Sequence, residues 1–397
     1  MTRLWDKGTS LDAQVLKYTA GDDHLLDDRL VHYDIRASIA HAEMLGEQNL
    51  LSAEDLAAIR DALTSIGEEH ALGQWRISLQ DEDCQTAIET LLTARIGAAG
   101  GRLHAGRSRN DQVLAALRLY MRDAAQTLSH GTLAVADALD TLASRHGAQE
   151  LPGYTHLQQA MPSSVALWAS GFAAELRDDA EGLQLTQRRI GKNPLGSAAG
   201  FGTPNLDISR ESTRRRLGFA VTHEPVTAVQ LSRGKAEAHL LFEITLLTQD
   251  LGRLAADLVL FYSQEFGYVS LPAAFTTGSS IMPQKRNPDV FELMRGRSAV
   301  AQAALNEVLG ITQRLTSGYH RDLQLIKPPL FRGIDSCLQT LEILPSALDG
   351  VRFRPENIRL DPGIHAAAAA NALVAQEGIP FREAYRQVAA KLKDQKK

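Results

Sequence analysis

Two arginines, a hydroxyl and an amide stand together in the segment "LHAGRSRNDQ", residues 103–112. The side chains of Arg107, Ser108, Arg109 and Asn110 come just ahead of a segment whose apolar spacing predicts a long helix. Guanidinium groups beside a helix N-terminus suit a carboxylate or a phosphate. An ordinary capped helix start with solvated arginines would use the same residues, so both interpretations stay open for this segment by itself.

A second polar segment, "PGYTHLQQAMP" at 152–162, is bracketed by prolines and carries a histidine. His156 stands between Thr155 and Gln158, and an imidazole can donate or accept a proton near neutral pH. A histidine that is merely hydrogen-bonded at the surface of a turn fits the same pattern.

The third segment, "GSSIMPQKRNP" at 278–288, contains Ser279, Ser280, Lys285 and Asn287 between glycine and proline residues. Lys285 contributes a positive charge and Asn287 an amide beside the two hydroxyls, and glycine permits backbone conformations that other residues resist. A mobile surface loop without catalytic function has a similar composition.

In combination, these segments resemble the fumarase/aspartase superfamily, whose helical enzymes eliminate fumarate from succinyl-type substrates. The 278–288 segment resembles the superfamily's signature loop, and "GRSRNDQ" together with Gln284 is similar to the argininosuccinate lyase family. "YHRDLQLIK" at 319–327 is similar to that family's Tyr-Asn-Arg-Asp-Leu-Gln segment, with His320 in place of asparagine. The resemblance extends over nearly the whole chain.

The resemblance implies the reversible conversion of argininosuccinate to L-arginine and fumarate, the last step of arginine biosynthesis. A proton leaves the carbon beside a carboxylate, and the C–N bond to the guanidino group then breaks. The resemblance makes Ser279 the base, with Lys285 and Asn287 stabilising the carbanion. It places His156 on the acid side or in a polarising role, oriented by Glu292.

For substrate binding, the resemblance assigns to the fumarate end Ser108, Arg109, Asn110, Thr155 and Ser280. It assigns to the rest of the substrate Tyr319, Gln324 and Lys327, and Gln158 is a further binding candidate. We expect no metal and no cofactor, because the sequence has no Cys/His cluster of metal-ligand spacing. The glycine-rich "GSAAGFG" at 196–202 is not G-x-G-x-x-G and follows no predicted strand, so we expect no nucleotide site there.

Several positions depart from the usual pattern of the family. "LWDKG" at 4–8 replaces its usual N-terminal motif, Gly21 stands where a binding serine is common, and Gln85 stands where histidine is usual. These departures leave open a different substrate of the same superfamily, such as adenylosuccinate, aspartate or malate. A non-catalytic protein with a lyase fold is a further alternative, against which the intact candidate residues argue.

Long helices must position these segments. Between Ser232 and Phe266, leucine and other large apolar residues recur at alternating spacings of 4 and 3, the seam of a bundled helix: Leu240, Ile244, Leu247, Leu251, Leu254, Leu258 and Phe261. Similar stripes after Asn110, over 163–190 and over 288–316 predict one long helical bundle. The resemblance implies an all-α, fumarase/aspartase-like fold. We expect three segments: an N-terminal helical domain (1–103), the central bundle (104–349) and a short helical C-terminal domain (350–397).

The spacing of the motifs bears on assembly. They lie about 45 and 120 residues apart along helices that would each extend roughly 50 Å. One protomer would therefore place them at different ends or faces of the bundle. The resemblance implies homotetramers in which each active site combines motifs from three subunits.

Composition limits the alternatives. The 397 residues carry a net charge of -5, so nothing global favours nucleic acid or an anionic membrane as a partner. The N-terminus has no apolar signal segment, and no stretch reaches the ~18 apolar residues of a membrane helix. Only two cysteines are present, Cys84 and Cys337, in keeping with a reducing cytoplasm.

Overall fold

Helices dominate the computed structural model, which describes residues 12–395 and the side chains of residues 12–393. The "LWDKG" departure lies outside the described residues. The all-α prediction is confirmed. Numbered along the chain, the α-helices are α1 (Ala13–Ala20), α2 (Asp23–Leu26), α3 (Val31–Glu47), α4 (Ala53–Ala71), α5 (Cys84–Ile96), α6 (Ala98–Arg102), α7 (Arg109–His146), α8 (Val165–Leu185), α9 (Gln187–Ile190), α10 (Arg210–Leu217), α11 (Val226–Leu231), α12 (Lys235–Tyr262), α13 (Asp289–Thr312), α14 (Lys327–Gly350), α15 (Ala366–Glu377) and α16 (Phe381–Gln395).

Short 3₁₀ turns and strands connect these helices. The 3₁₀ turns are Asp27–Leu30, Ala273–Phe275, Arg321–Ile326, Pro355–Asn357 and Pro362–His365. The strands form three two-stranded pairs: antiparallel β1 (Glu150–Thr155) with β2 (Gln158–Ser164), parallel β3 (Lys192–Asn193) with β4 (Val221–Thr222), and antiparallel β5 (Val269–Ser270) with β6 (Arg352–Phe353).

The apolar seam predicted between Ser232 and Phe266 forms α12. Its six aliphatic members are at most 1% exposed and Phe261 is 4% exposed, which confirms that the seam is core. The helix begins after Gly234, whose φ of +84° is a conformation that L side chains rarely adopt. The buried face of α12 therefore follows from the spacing of its apolar residues. The helix starts after Gly234 because the backbone at that residue is not helical.

The helix predicted over 163–190 starts later than expected. Pro162 belongs to β2, where it lies opposite Pro152 of β1, and α8 begins at Val165. Proline is a good first helical residue, but it also fits a strand position that donates no ladder hydrogen bond. The polar segment 152–162 thus forms most of a β-hairpin and is not an irregular turn. Its sequence only weakly predicts strands, but β1 and β2 pair with each other and so stabilise them.

The described residues form two compact units. Unit 1 comprises the described residues up to Thr127, Gly182–Thr245 and Val300–Ser336; unit 2 comprises Leu128–Glu181, Leu246–Ala299 and the described residues from Cys337 onward. One core cluster of unit 1 consists of Ala37, Ala40, Ala115, Leu119, Leu195, Leu217 and Phe219. Unit 2 has an aromatic cluster that includes Trp168, Phe261 and Phe353. The three-segment division expected from the sequence stays a prediction.

No helix in the described part of the chain is long and apolar enough to cross a bilayer.

Candidate active site

The segment "GRSRND" forms the capped start of α7. Ser108 precedes the helix, its Oγ accepts the Asn110 N–H at 3.4 Å, and its own N–H donates to Asp111 Oδ1 at 3.0 Å. This arrangement is a variant of the capping box: Asp111, three residues after the cap, reaches back to the cap N–H, while the cap hydroxyl accepts from the second helical residue. The cap holds Arg109 and Asn110 in the first turn of the helix, so their positions are determined locally.

The second carboxylate oxygen of Asp111 binds a distant loop. Asp111 Oδ2 accepts the N–H groups of Gly196 at 3.0 Å and Ala198 at 2.8 Å. Burial raises the pKa of Asp111 to about 6, although its backbone N–H donors act in the opposite direction. The glycine-rich 196–202 segment thus braces the start of α7.

A cavity of about 520 Å³ in unit 1 brings together five of the residues predicted for substrate binding. These five are Arg109, Asn110, Tyr319, Gln324 and Lys327. The same cavity is lined by residues that the sequence did not single out for binding, among them Asp23, Glu82, Asp83, Gln85 and Arg233. Clustered charges of both signs in a concave site suit a small molecule that is itself a zwitterion.

Asp83 connects two helix starts at the edge of this cavity. Its Oδ1 caps α5 by accepting the Thr86 N–H at 2.8 Å, and its Oδ2 accepts from Arg109 Nη1 at 3.1 Å. A guanidinium has five N–H donors, so this bond leaves Arg109 with donors for a ligand carboxylate. Three acids in a row directly before a helix, residues 81–83, suit its N-terminus, but such a local pattern could not reveal the bond to Arg109.

Lys327 is held between two carboxylates. Its Nζ lies 2.8 Å from Asp23 Oδ2 and 2.7 Å from Asp27 Oδ1, and its side chain is only 3% exposed. Burial raises the pKa of Asp23 to about 7 against the opposing effect of Lys327. Burial also lowers the pKa of Lys327, but the two carboxylates outweigh it and raise that pKa above its ordinary value. With both acids ionised, this corner of the cavity carries a surplus negative charge.

Gln324 ties its own segment to the end of α1. Its Nε2 donates to the carbonyl oxygens of Thr19 at 3.0 Å and Ala20 at 3.2 Å, and Arg321 also donates to Thr19 at 2.8 Å. Tyr319, just before this 3₁₀ turn, is 38% exposed. Gln324 therefore has a bracing role that the sequence did not predict, beside its position in the cavity.

In unit 2, His156 occupies the tip of the β1–β2 hairpin. His156 and Leu157 have φ values of 54° and 57°, as the two central residues of a type I′ turn require. Glycine and asparagine usually fill such positions, and non-glycine residues with positive φ cluster at functional sites. Thr155 and Gln158 flank the turn, and all four side chains are exposed.

The loop at 276–288 folds around Ser279. Its base is closed by two backbone hydrogen bonds between Thr277 and Asn287, at 2.9 and 3.2 Å. Ser279 Oγ accepts the backbone N–H groups of Met282 at 3.2 Å and Ile281 at 3.4 Å. Ser280 and Lys285 are exposed in the same loop. The hydroxyl thus lies in a small nest of backbone donors.

The predicted site residues divide between the two units. Unit 1 holds Ser108, Arg109, Asn110, Tyr319, Gln324 and Lys327, and unit 2 holds Thr155, His156, Gln158, Ser279, Ser280, Lys285, Asn287 and Glu292. Glu292 lies exposed in the first turn of α13. Over residues 12–393, no hydrogen bond or ion pair joins His156 to Ser279 or Glu292, and no group of three or more His, Cys, Asp or Glu side chains could hold a metal.

Comparison with known proteins shows the family and the fold of the chain. The model of the lyase family matches residues 12–303. An argininosuccinate lyase from Sorangium cellulosum (strain So ce56) is 48% identical over 392 residues, which cover 98% of this chain and 90% of that protein. EDDS lyase in complex with formate has a TM-score of 0.81 at 25% identity, over 96% of this chain and 76% of that one. A class II fumarase from Schistosoma mansoni shares the fold, with a TM-score of 0.78 at 16% identity over 96% and 88% of the two chains. The chain belongs to the argininosuccinate lyase family.

Proposed function

We propose that the protein is an argininosuccinate lyase, which reversibly eliminates fumarate from argininosuccinate to give L-arginine, the last step of arginine biosynthesis. The observation that carries this proposal is the 48% identity to the Sorangium cellulosum argininosuccinate lyase over 98% of this chain and 90% of that protein. The capped Arg109–Asn110 pair and the mixed-charge cavity beside it agree with a substrate that has carboxylates and cationic nitrogens.

Ser279 removes the proton in this proposal. A serine hydroxyl is a weak base unless its alkoxide is stabilised. The Met282 and Ile281 N–H groups that face Ser279 Oγ favour the ionised form, and Lys285 adds positive charge from the same loop. Lys285 and Asn287 then stabilise the carbanion as charge moves into the neighbouring carboxylate.

His156 acts on the leaving guanidino group, either as an acid or by polarising it. Glu292 orients the imidazole. Because no hydrogen bond links the two within the described residues of one chain, we assign their pairing to the assembled, substrate-bound enzyme.

The two ends of the substrate bind to chemically different groups. Arg109 and Asn110 hold the fumarate end, together with Ser108, Thr155 and Ser280. Tyr319, Gln324 and Lys327 hold the amino-acid end, and Gln158 adds a further polar contact. Since Lys327 is already paired with Asp23 and Asp27, its corner of the cavity favours the substrate ammonium group over its carboxylate.

The active enzyme is a cytoplasmic homotetramer in this proposal, with each site built from three subunits. Large apolar side chains are exposed on the long helices, including Phe242 at 46% and Leu246 at 39% on α12, and Leu293 at 62% and Leu309 at 48% on α13. Apolar surface of this kind favours burial against another chain. Association would also bring other chains' residues to His156 and Ser279, which are not hydrogen-bonded to each other within the described residues of one chain.

The test is direct. Purified protein is incubated with argininosuccinate while the absorbance of fumarate is followed, with adenylosuccinate, aspartate and malate as parallel substrates. Release of fumarate from argininosuccinate at the highest kcat/KM supports the proposal. Preference for one of the other three substrates, or no reaction with any of them, would overturn it.

A further inference from the structure

Gln85 lines the cavity in unit 1, and the oxygen of its side-chain amide is buried. The residue lies in the first turn of α5 and is 1% exposed. Among the described residues, its Oε1 atom has no hydrogen-bond partner. A buried carbonyl oxygen without a donor is costly, so such an atom on a cavity-lining residue points to a ligand donor.

The orientation of the Gln85 amide is determined by a network behind it. Gln85 Nε2 donates to Asp34 Oδ2 at 3.0 Å, while Asp34 Oδ1 accepts from Gln112 Nε2 at 3.0 Å and from Ser38 Oγ at 3.2 Å. Ser38 Oγ in turn accepts from Arg107 Nη1 at 2.8 Å, so the hydroxyl proton is free to face Asp34. A flipped amide would set its oxygen against the carboxylate, and the network therefore holds Oε1 as a fixed acceptor.

The neighbours of Gln85 indicate which part of a substrate it faces. Asp83, two residues earlier, binds Arg109, which we assign to the fumarate end. The N–H of Cys84, the residue between, lies 3.5 Å from Asp27 Oδ2, and Asp27 holds Lys327 at the amino-acid end. Gln85 thus stands between the two ends, where argininosuccinate carries its guanidino group.

We propose that Gln85 Oε1 accepts an N–H of the substrate guanidino group and thereby selects a guanidino compound over its uncharged ureido counterpart. This inference rests on the proposed function, because the two ends of the substrate are assigned through it. A ureido group also carries N–H donors, but its hydrogen bond is uncharged, whereas a guanidinium makes the stronger, charge-assisted hydrogen bond.

The wild-type enzyme provides the first measurement. L-arginine and L-citrulline, which has a carbonyl oxygen in place of one terminal nitrogen, are compared as inhibitors of fumarate release. We expect L-arginine to bind at least about 10-fold more tightly, the effect of one charge-assisted hydrogen bond. Equal inhibition constants for the two amino acids would overturn the inference.

The variant Gln85→Met keeps the volume of the side chain and removes the acceptor. We expect its preference for L-arginine over L-citrulline to shrink by about 10-fold, while the inhibition constant of fumarate, which has no guanidino group, changes by less than about 2-fold. If L-citrulline does not inhibit measurably, the same comparison is made between L-arginine and fumarate. A preference that is unchanged in this variant contradicts the proposal.

Gln112→Met is the matched control, because Gln112 makes the same bond to Asp34 but does not line the cavity. It tests whether the effect comes merely from disturbing Asp34, in which case both variants would change the preference alike. Thermal unfolding shows whether each variant folds. If Gln85→Met does not fold, Gln85→Asn replaces it, because its shorter side chain withdraws the oxygen by one methylene. A wild type without lyase activity refutes the proposed function, whereas an active wild type without the preference refutes only the role of Gln85.

Discussion

Lys327 Nζ lies 2.7 Å from Asp27 Oδ1, and both side chains are buried, at 3% and 0% exposure. The two residues are 300 positions apart in the chain, and Asp23 approaches the same ammonium group at 2.8 Å. This cluster joins the start of α14 to the N-terminal part of unit 1. The binding cavity therefore depends on the pair for its shape as well as for its charge.

Lys327→Met should strongly destabilise the protein. The substitution leaves two buried carboxylates without a cation, and breaking a buried ion pair from one side costs about 3–5 kcal/mol of unfolding free energy. Urea unfolding measures the change. A loss below about 1 kcal/mol, the range of an exposed ion pair, would show that the cluster is hydrated and does not hold the unit together.

Asp23→Asn is the control for that variant, because it removes one acid and keeps the Lys327–Asp27 pair. We expect a smaller loss of stability than in Lys327→Met. We also expect weaker inhibition by L-arginine above pH 7, where Asp23 is ionised in the wild type, since the surplus negative charge that favours the ammonium group is then gone. An unchanged inhibition constant would argue against an ammonium subsite at this corner.

Ser279→Ala should reduce kcat by about 100- to 10,000-fold, the usual contribution of a general base, with a much smaller change in KM. The neighbouring variant Ser280→Ala serves as the comparison, because a binding hydroxyl affects mainly KM. Steady-state kinetics of fumarate release separate the two effects. Wild-type turnover by Ser279→Ala would eliminate Ser279 as the base.

Shared active sites predict complementation between inactive variants. Arg109→Ala and Ser279→Ala change motifs in different units, so mixed oligomers formed by refolding them together should contain some sites with both wild-type motifs. We expect partial recovery of activity from that mixture and none from Arg109→Ala mixed with Asn110→Ala, which alter the same motif. No recovery in the first mixture, or full activity of a monomer in gel filtration, would contradict the shared-site tetramer.

His41 should make the protein sensitive to acid. Its Nε2 lies 2.9 Å from the Ala105 carbonyl oxygen, and burial, together with the charge of Arg107, lowers its pKa from 6.5 to about 3. The unfolded chain then binds a proton that the native state does not, so this contribution to stability is complete above pH 6.5 and is lost as the pH falls toward 3. His41→Gln should flatten the decline between pH 6.5 and 4.5 by up to about 1 kcal/mol per pH unit, measured by urea unfolding. Parallel declines in the two proteins would indicate that His41 is protonated in the native state.

Much of the architecture could be predicted from local pattern. The seam of α12 is buried as its alternating spacing of 4 and 3 indicated, and Asp83, directly before α5, caps that helix. Such features depend on residues three or four positions apart, which a helix brings together without help from the rest of the chain. The start of α8 was misjudged because a proline is compatible with both a helix start and a strand.

The sequence by itself determined which groups are available for chemistry and where the helices that carry them run. Ser108 and Asp111 show the limit of that information: their capping box is local, but the bonds from Asp111 to Gly196 and Ala198 span about 85 residues of chain. Only the tertiary structure decided that Lys327 pairs with both Asp23 and Asp27, and that the buried amide of Gln85 donates to Asp34 while the residue lines the cavity. The physical reason is that burial and ion pairing depend on which distant elements pack together, and no residue period encodes those distances.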